Sequence, residues 1–133
     1  MDNIKYNGSC HCGQVQWEVL APRTLNAIDC NCTICIKKQN KHVIVPSAQF
    51  KLLSGQTGLS TYTFNTHQAK HMFCNKCGVQ SFYIPRSNPD GIGFMPHCID
   101  RPQPKVVVEN FDGNKWEESM EMKGADISKR SKQ

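Results

Sequence analysis

Apolar and polar residues alternate over short stretches of this chain, which is the pattern of β-strands with one buried face. The clearest stretch is residues 14–19, in which Val15, Trp17 and Val19 are separated by polar residues. Further strands are predicted in five stretches rich in apolar or β-branched residues: 43–45, 50–53, 61–64, 79–84 and 106–108. This succession of short strands predicts a mainly β fold.

Turn signals separate the predicted strands. They stand at Gly55, Gly58, Pro85, Asn88-Pro89-Asp90-Gly91 and Asp112-Gly113. Residues 33–39 predict one short helical turn, and residues 116–122 predict a short helix near the end of the chain. The pattern contains neither a strand–helix alternation nor a glycine-rich phosphate loop, which argues against a dinucleotide-binding fold.

The length of 133 residues fits one domain, with a core at about 6–122 and a flexible basic tail at 123–133. Hydrophobic residues make up 38% of the chain, and its mean hydropathy of −0.52 indicates a thin core. No apolar run approaches the roughly 20 residues that span a bilayer. The N-terminus lacks the basic-then-apolar pattern of a signal peptide. We therefore expect an intracellular protein, cytoplasmic, nuclear or both, without a membrane partner.

Eight cysteines change this picture more than any other residue type does. In a chain without a secretion signal, closely spaced cysteines favour metal binding over a disulfide framework. Seven of them form three clusters: Cys10-His11-Cys12, Cys30-Asn31-Cys32-Thr33-Ile34-Cys35 and Cys74-Asn75-Lys76-Cys77-Gly78. The third cluster has the usual form of a zinc knuckle, in which a glycine after C-x-x-C allows a tight turn.

Seven clustered cysteines cannot fill two four-cysteine zinc sites. If the first and third clusters combine, they form a closed structural site of Cys10, Cys12, Cys74 and Cys77. The second cluster then keeps three ligands, Cys30, Cys32 and Cys35, and an open fourth position, as zinc chemistry requires. We therefore predict two Zn²⁺ ions per chain and place the chemistry at the second.

The net charge must be counted with these sites in mind. The formal value is +5 with neutral cysteines. Two zinc ions would add four positive charges and seven thiolates would remove seven, which leaves +2. Because most of the apparent basicity disappears, a general nucleic-acid-binding function receives little support.

The second site can also be closed by a fourth protein ligand, and it is then purely structural. Six residues are candidates for that ligand: Cys98, His97, His71, His67, His42 and His11. We expect His11 to face away from the metal, and His67 and His71 to be ordinary surface or core histidines. An isolated cysteine is more often a buried apolar thiol than a ligand, but Cys98 is the first of the six to inspect.

The three cysteine motifs, in this order and spacing, resemble the glutathione-dependent formaldehyde-activating enzyme family over residues 8–100. The resemblance implies a small β-tent fold of short antiparallel strands stapled by two zinc sites. It also implies a structural zinc on Cys10, Cys12, Cys74 and Cys77. A catalytic zinc would be held by Cys30, Cys32 and Cys35. Four further stretches are similar to an animal branch of this family, the centromere protein V type: 29–32, 61–67, 77–83 and 85–89.

The resemblance implies a carbon–sulfur lyase that acts on glutathione–aldehyde adducts, with glutathione or such an adduct as its ligand. We expect the thiol of glutathione to become the fourth ligand of the second zinc, beside the aldehyde carbon. Four basic residues are candidates to pair with the glutathione carboxylates: Lys37, Lys38, Lys41 and Arg86. The alternative is a non-catalytic, zinc-stapled binding module associated with chromatin, the centromere or microtubules.

Overall fold

The computed structural model of the chain describes residues 3–132. It confirms the mainly β fold. In chain order the strands are β1 (Asn3–Ser9), β2 (Gln16–Pro22), β3 (Thr24–Cys30), β4 (Lys41–Pro46), β5 (Phe50–Ser54), β6 (Leu59–Tyr62), β7 (Lys70–Cys74), β8 (Phe82–Ile84), β9 (Gly91–Phe94), β10 (Ile99–Arg101) and β11 (Lys105–Phe111). Two α-helices, α1 (Thr33–Lys38) and α2 (Trp116–Lys129), and three short 3₁₀ turns, at Ser47–Gln49, Pro96–Cys98 and Gly113–Lys115, complete the described part of the chain.

The strands form two sheets. One has four strands in the order β10-β1-β2-β5, and the other has seven in the order β11-β3-β4-β9-β8-β7-β6. Neighbouring strands are antiparallel, as predicted, except that β11 runs parallel to β3. The register of this parallel pair places Phe111 opposite Cys30.

The main core lies between the two sheets. Strand β2 alternates as its sequence predicts, so that Trp17, Val19 and Ala21 are buried. The Trp17 ring packs against those of Phe50 and Phe94 at centroid distances of 5.3 and 5.7 Å. Its indole N–H donates to Ser81 Oγ at 2.9 Å, which satisfies the one polar atom that this burial removes from water.

Strand β4 is buried on both faces and separates this core from a second one. Val43 and Val45 belong to the core between the sheets, whereas Ile44 faces the second core with Phe111 and Ile127. Continuous apolar runs are typical of strands covered on both sides. The second core lies on the other face of the seven-stranded sheet, under α2, and contains the cysteines of residues 30–35.

The end of the chain differs from the prediction. Helix α2 continues seven residues beyond 122, through most of the segment predicted as a flexible tail at 123–133. Ile127 and Ser131 are buried, and the side-chain amide of Asn88 donates to Ile127 O at 2.9 Å and to Ser131 Oγ at 2.8 Å. A lone isoleucine in a basic segment gives no periodic pattern that would predict a helix. The residue that it contacts, Asn88, lies 39 positions earlier in the sequence. No helix within residues 3–132 is long and apolar enough to cross a membrane.

Candidate metal centres and the adjoining cavity

Four cysteine sulfurs meet where the two sheets approach each other, and we call them the four-sulfur cluster. Cys10 and Cys12 follow β1 of the four-stranded sheet, whereas Cys74 and Cys77 lie at the end of β7 of the seven-stranded sheet. All four Sγ atoms lie within 4.8 Å of one another. The measured pairs are Cys10–Cys12 at 3.6 Å and Cys12–Cys74 at 3.7 Å.

Two backbone turns aim these sulfurs at one point. Each turn ends in a glycine with a left-handed backbone, Gly13 at φ 84° and Gly78 at φ 79°. Backbone N–H groups donate to the sulfurs, from Val15 to Cys10 at 3.3 Å and from Cys77 to Cys74 at 3.5 Å. Such donors stabilise the thiolate, and backbone hydrogen bonding lowers the pKa of the Cys74 thiol.

The four-sulfur cluster fits a tetrahedral metal ion that prefers sulfur ligands. Zinc–sulfur bonds of about 2.3 Å in tetrahedral geometry separate neighbouring sulfurs by about 3.8 Å. The measured distances of 3.6 and 3.7 Å agree with that spacing. With four protein ligands in place, such an ion has no position left for a substrate.

The other three clustered cysteines form a second group, which we call the triplet. Cys30 ends β3, Cys32 immediately precedes α1, and Cys35 lies within that helix. Their three Sγ atoms also lie within 4.8 Å of one another, and Cys30 and Cys35 are buried. Hydrogen bonds from Cys30 and Cys35 lower the pKa of the Cys32 thiol, because they favour its thiolate.

The surroundings of the triplet come from the distant end of the chain. The parallel pairing of β11 with β3 brings the turn after Phe111 over the sulfurs. A Cβ atom at Gly113 would overlap Cys30 Sγ, so no larger residue fits there without displacing the sulfur. The side-chain oxygen of Asn31 accepts hydrogen bonds from the backbone N–H groups of Gly113 at 2.7 Å and Asn114 at 3.3 Å.

The sequence marks residues 112–113 only as a turn and carries no sign of this role of Gly113. Nor does it mark Asn40, whose side-chain amide N–H donates to Cys35 Sγ at 3.8 Å and whose backbone N–H donates to Cys35 O at 2.8 Å. A Gly within a turn and an Asn after a short helix carry no signal that distinguishes these roles. Their importance becomes visible only from the contacts.

The triplet opens into a cavity of about 330 Å³, which we call the thiol cavity. Its walls combine aromatic and aliphatic side chains with polar ones, a mixture that suits a ligand with both apolar and polar parts. Besides the triplet it is lined by Ile28, Thr33, Ile34, His42, Phe64, Asn65, Thr66, Ala69, His71, Tyr83, Pro85, Arg86, Ser87, Phe111, Gly113, Asn114, Trp116 and Ile127.

One wall of the thiol cavity carries two buried histidines around a tyrosine. The Tyr83 hydroxyl lies 3.1 Å from His42 Nε2, and the His71 ring stacks on Tyr83 at a centroid distance of 5.0 Å. Burial lowers the pKa of His42 to about 4 and also lowers that of His71, so both are neutral at pH 7. Burial raises the pKa of Tyr83 well above its usual value.

The structure separates the six candidates for a fourth ligand of the triplet. Within residues 3–132, no fourth Cys, His, Asp or Glu ligand atom joins the triplet at the spacing of its sulfurs. His42 and His71 do line the same cavity. Cys98 packs instead against the core that contains Cys10, and burial raises its pKa to about 12. The remaining three candidates, His11, His67 and His97, are exposed.

The four basic residues that were candidates to pair with the glutathione carboxylates lie in different places. Of these described residues, Arg86 lines the thiol cavity and the three lysines do not. Lys38 lies over the Phe73 ring, with Nζ 5.0 Å from its centroid. Lys41 lines a second groove, which also includes Cys30, and Lys37 is exposed.

Comparison with known proteins gives two findings. Residues 5–114 match the family described as "Glutathione-dependent formaldehyde-activating enzyme". The chain is also similar to a solved structure of a Rhodobacter sphaeroides protein, with 29% sequence identity over 80% of this chain and 100% of that one, and a TM-score of 0.66. The matched region contains both cysteine groups and ends at Asn114 beside the triplet.

Proposed function

The chain belongs to the glutathione-dependent formaldehyde-activating enzyme family, and from this premise we propose that it is a zinc-dependent lyase of glutathione–aldehyde adducts. One observation carries the proposal. The triplet offers three sulfurs in the wall of a 330 Å³ cavity, and no fourth ligand atom from residues 3–132 joins them. A metal ion held by these three sulfurs could therefore take its fourth ligand from a molecule that enters the cavity.

Zinc is the metal that we propose for both groups, two ions per chain. Cys10, Cys12, Cys74 and Cys77 would hold the structural ion, and Cys30, Cys32 and Cys35 would hold the second. Sulfur-only ligand sets of this spacing suit zinc better than calcium or magnesium, which prefer oxygen. When bound at the triplet, zinc supplies a site at which a fourth thiolate is stable at neutral pH.

The proposed reaction joins a thiol to an aldehyde and is reversible. The ligand sulfur bonds to the carbonyl carbon, the C=O double bond becomes a single bond, and the thiol proton ends on that oxygen as the hydroxyl of the hemithioacetal. The reverse reaction breaks the same carbon–sulfur bond, without oxidation or reduction. The walls of the thiol cavity contribute by holding the sulfur and the aldehyde together away from bulk water. The neutral His42 and His71 add no charge to that wall.

Calorimetry on the zinc-loaded protein tests this proposal. We expect glutathione to bind with measurable heat, and Cys35→Ser to abolish that heat because it removes one of the three sulfurs. Cys98→Ser is the matched control, since it changes a cysteine outside both groups. Exchange of labelled formaldehyde between its free form and its glutathione adduct, followed by NMR, measures turnover. Equal heats for wild type and Cys35→Ser would refute the proposal.

A second proposal is a non-catalytic binding module, as in the centromere protein V type that four sequence stretches resemble. The observation that favours it is an exposed apolar edge, where Val106, Val107 and Val108 of β11 are 38%, 51% and 48% exposed. Co-sedimentation with microtubules and with nucleosomes at physiological salt tests it. Sedimentation that survives Cys35→Ser, together with absent lyase turnover, would favour this module over the enzyme. In either case we propose an intracellular location, because the clustered thiols must stay reduced.

A further inference from the structure

Arg86 places a positive charge in the wall of the thiol cavity. It lies in the turn that begins at Pro85 after β8, and its guanidinium carbon is 3.7 Å from the centroid of the Trp116 ring. Both residues line the cavity that the triplet opens into. A cation–π contact of this kind supplies no carboxylate, so the charge of Arg86 still lacks a counter-ion.

No acidic side chain within residues 3–132 pairs with Arg86, and its Nε is buried without a hydrogen-bond partner. Arg130 also has one guanidinium nitrogen buried without a hydrogen-bond partner, but it differs from Arg86 in having counter-ions. Its guanidinium contacts two carboxylates, those of Glu109 and Asp126, the latter at 2.7 Å. An arginine stays charged at every physiological pH, and partly buried charges in proteins are normally paired. Arg86 therefore has the environment of a residue whose partner is a ligand.

We propose that Arg86 binds a carboxylate of the thiol ligand whose sulfur meets the triplet. The planar guanidinium matches the two oxygens of a carboxylate, which a lysine ammonium does not. This inference rests on the proposed function and assigns Arg86 to the recognition of a carboxylate of glutathione, or of another thiol ligand that carries one. Arg86 is thus a specificity-determining residue, separate from the sulfurs that hold the metal.

The test combines a protein change with a ligand change. Glutathione, its diethyl ester and 2-mercaptoethanol are titrated into the zinc-loaded wild type, Arg86→Gln and Arg86→Lys. We expect Arg86→Gln to weaken glutathione binding about ten- to a hundred-fold, the usual size of a lost charged hydrogen bond. Esterification of the ligand should cost the wild type a similar factor and cost the variant little, because both changes remove the same contact. Binding of 2-mercaptoethanol should not change.

Arg23→Gln is the matched control, since Arg23 is exposed and does not line the cavity. Arg86→Lys should lie between wild type and Arg86→Gln, because it keeps the charge and loses the planar fork. Zinc content and thermal unfolding of every variant are measured in parallel. The inference is wrong if Arg86→Gln weakens all three thiols equally or lowers zinc content, since Arg86 would then act on the metal site. If no thiol binds the wild type, the proposed function fails and the inference fails with it.

Discussion

The sulfur atoms of the two cysteine groups are similarly spaced, but the two groups differ in which parts of the fold they connect. The four-sulfur cluster takes two ligands from each sheet, so a metal ion there would tie β1 to β7. The triplet comes from one continuous segment, residues 30–35, and ties no distant strands together. A crosslink between distant segments restricts the unfolded chain far more than a local one does. We therefore assign stability to the first group, and the second is the group that the proposed function gives to the ligand.

The largest expected difference between the two groups is in the loss of stability when one sulfur is removed from each. We expect Cys74→Ser to destabilise the protein by on the order of 5 kcal/mol or more, because it would remove the ion that we propose joins the sheets. Cys35→Ser should cost only about 1–2 kcal/mol, the range of an ordinary core substitution. Thermal and urea unfolding, with zinc content measured on the same samples, give both values. Equal losses of stability would remove the distinction between the two groups.

The stability of the protein should depend on pH through His42, which lines the thiol cavity beside the triplet. Its folded pKa of about 4 is below its usual 6.5, so below pH 6.5 the unfolded state takes up a proton that the folded state refuses. Stability should therefore fall as the pH drops from 6.5 towards 4, by about 3 kcal/mol in total. Above pH 6.5 this contribution stays constant, because both states are then neutral.

His42→Gln isolates this effect from acid release of the metal, which affects both proteins alike. The variant keeps a polar group beside Tyr83 but cannot titrate in this range. Unfolding free energies of both proteins between pH 7.5 and 5, at equal zinc saturation, should give a flatter profile for the variant. Parallel profiles would show that burial of His42 does not set the acid sensitivity.

Gly113→Ala tests whether the turn over the triplet constrains its sulfurs. Gly113→Ala would place a Cβ against Cys30 Sγ and 2.7 Å from Cys32 Cβ, and we expect a cost of about 1–3 kcal/mol for this overpacking. Cobalt substituted for zinc should then give the thiolate spectrum of the four-sulfur cluster with the contribution of the triplet reduced. Gly124→Ala in α2 is the control, since its Cβ would meet the flexible end of Met120 at 3.2 Å. A full contribution of the triplet in Gly113→Ala would show that the turn does not constrain the sulfurs.

The sequence predicted those parts of the molecule that depend on short-range order. Alternation identified β2, and the spacing of the cysteines was enough to separate the triplet from the other four sulfurs. Strand β9 was missed because two of its four residues are glycines. One of them, Gly93, is required by packing, since a Cβ there would lie 2.8 Å from the Tyr83 ring.

The contacts that complete the thiol cavity were beyond sequence analysis for a physical reason. Arg86 meets Trp116 across 30 positions of the chain, and Gly113 approaches Cys30 across more than 80. Neither pair has a local pattern that marks it. The sequence offers Arg86 as one of four equal basic candidates, and only its contact with Trp116 in the wall of the thiol cavity distinguishes it from the three lysines.

The parallel pairing of β11 with β3 has a consequence for biosynthesis. All four cysteines of the cluster between the sheets lie before residue 78, whereas the strand and turn that cover the triplet span residues 105–115. A nascent chain can therefore bring these four cysteines together before the residues that cover the thiol cavity have been synthesised. The thiol cavity can be completed only after about the last fifth of the chain has been synthesised.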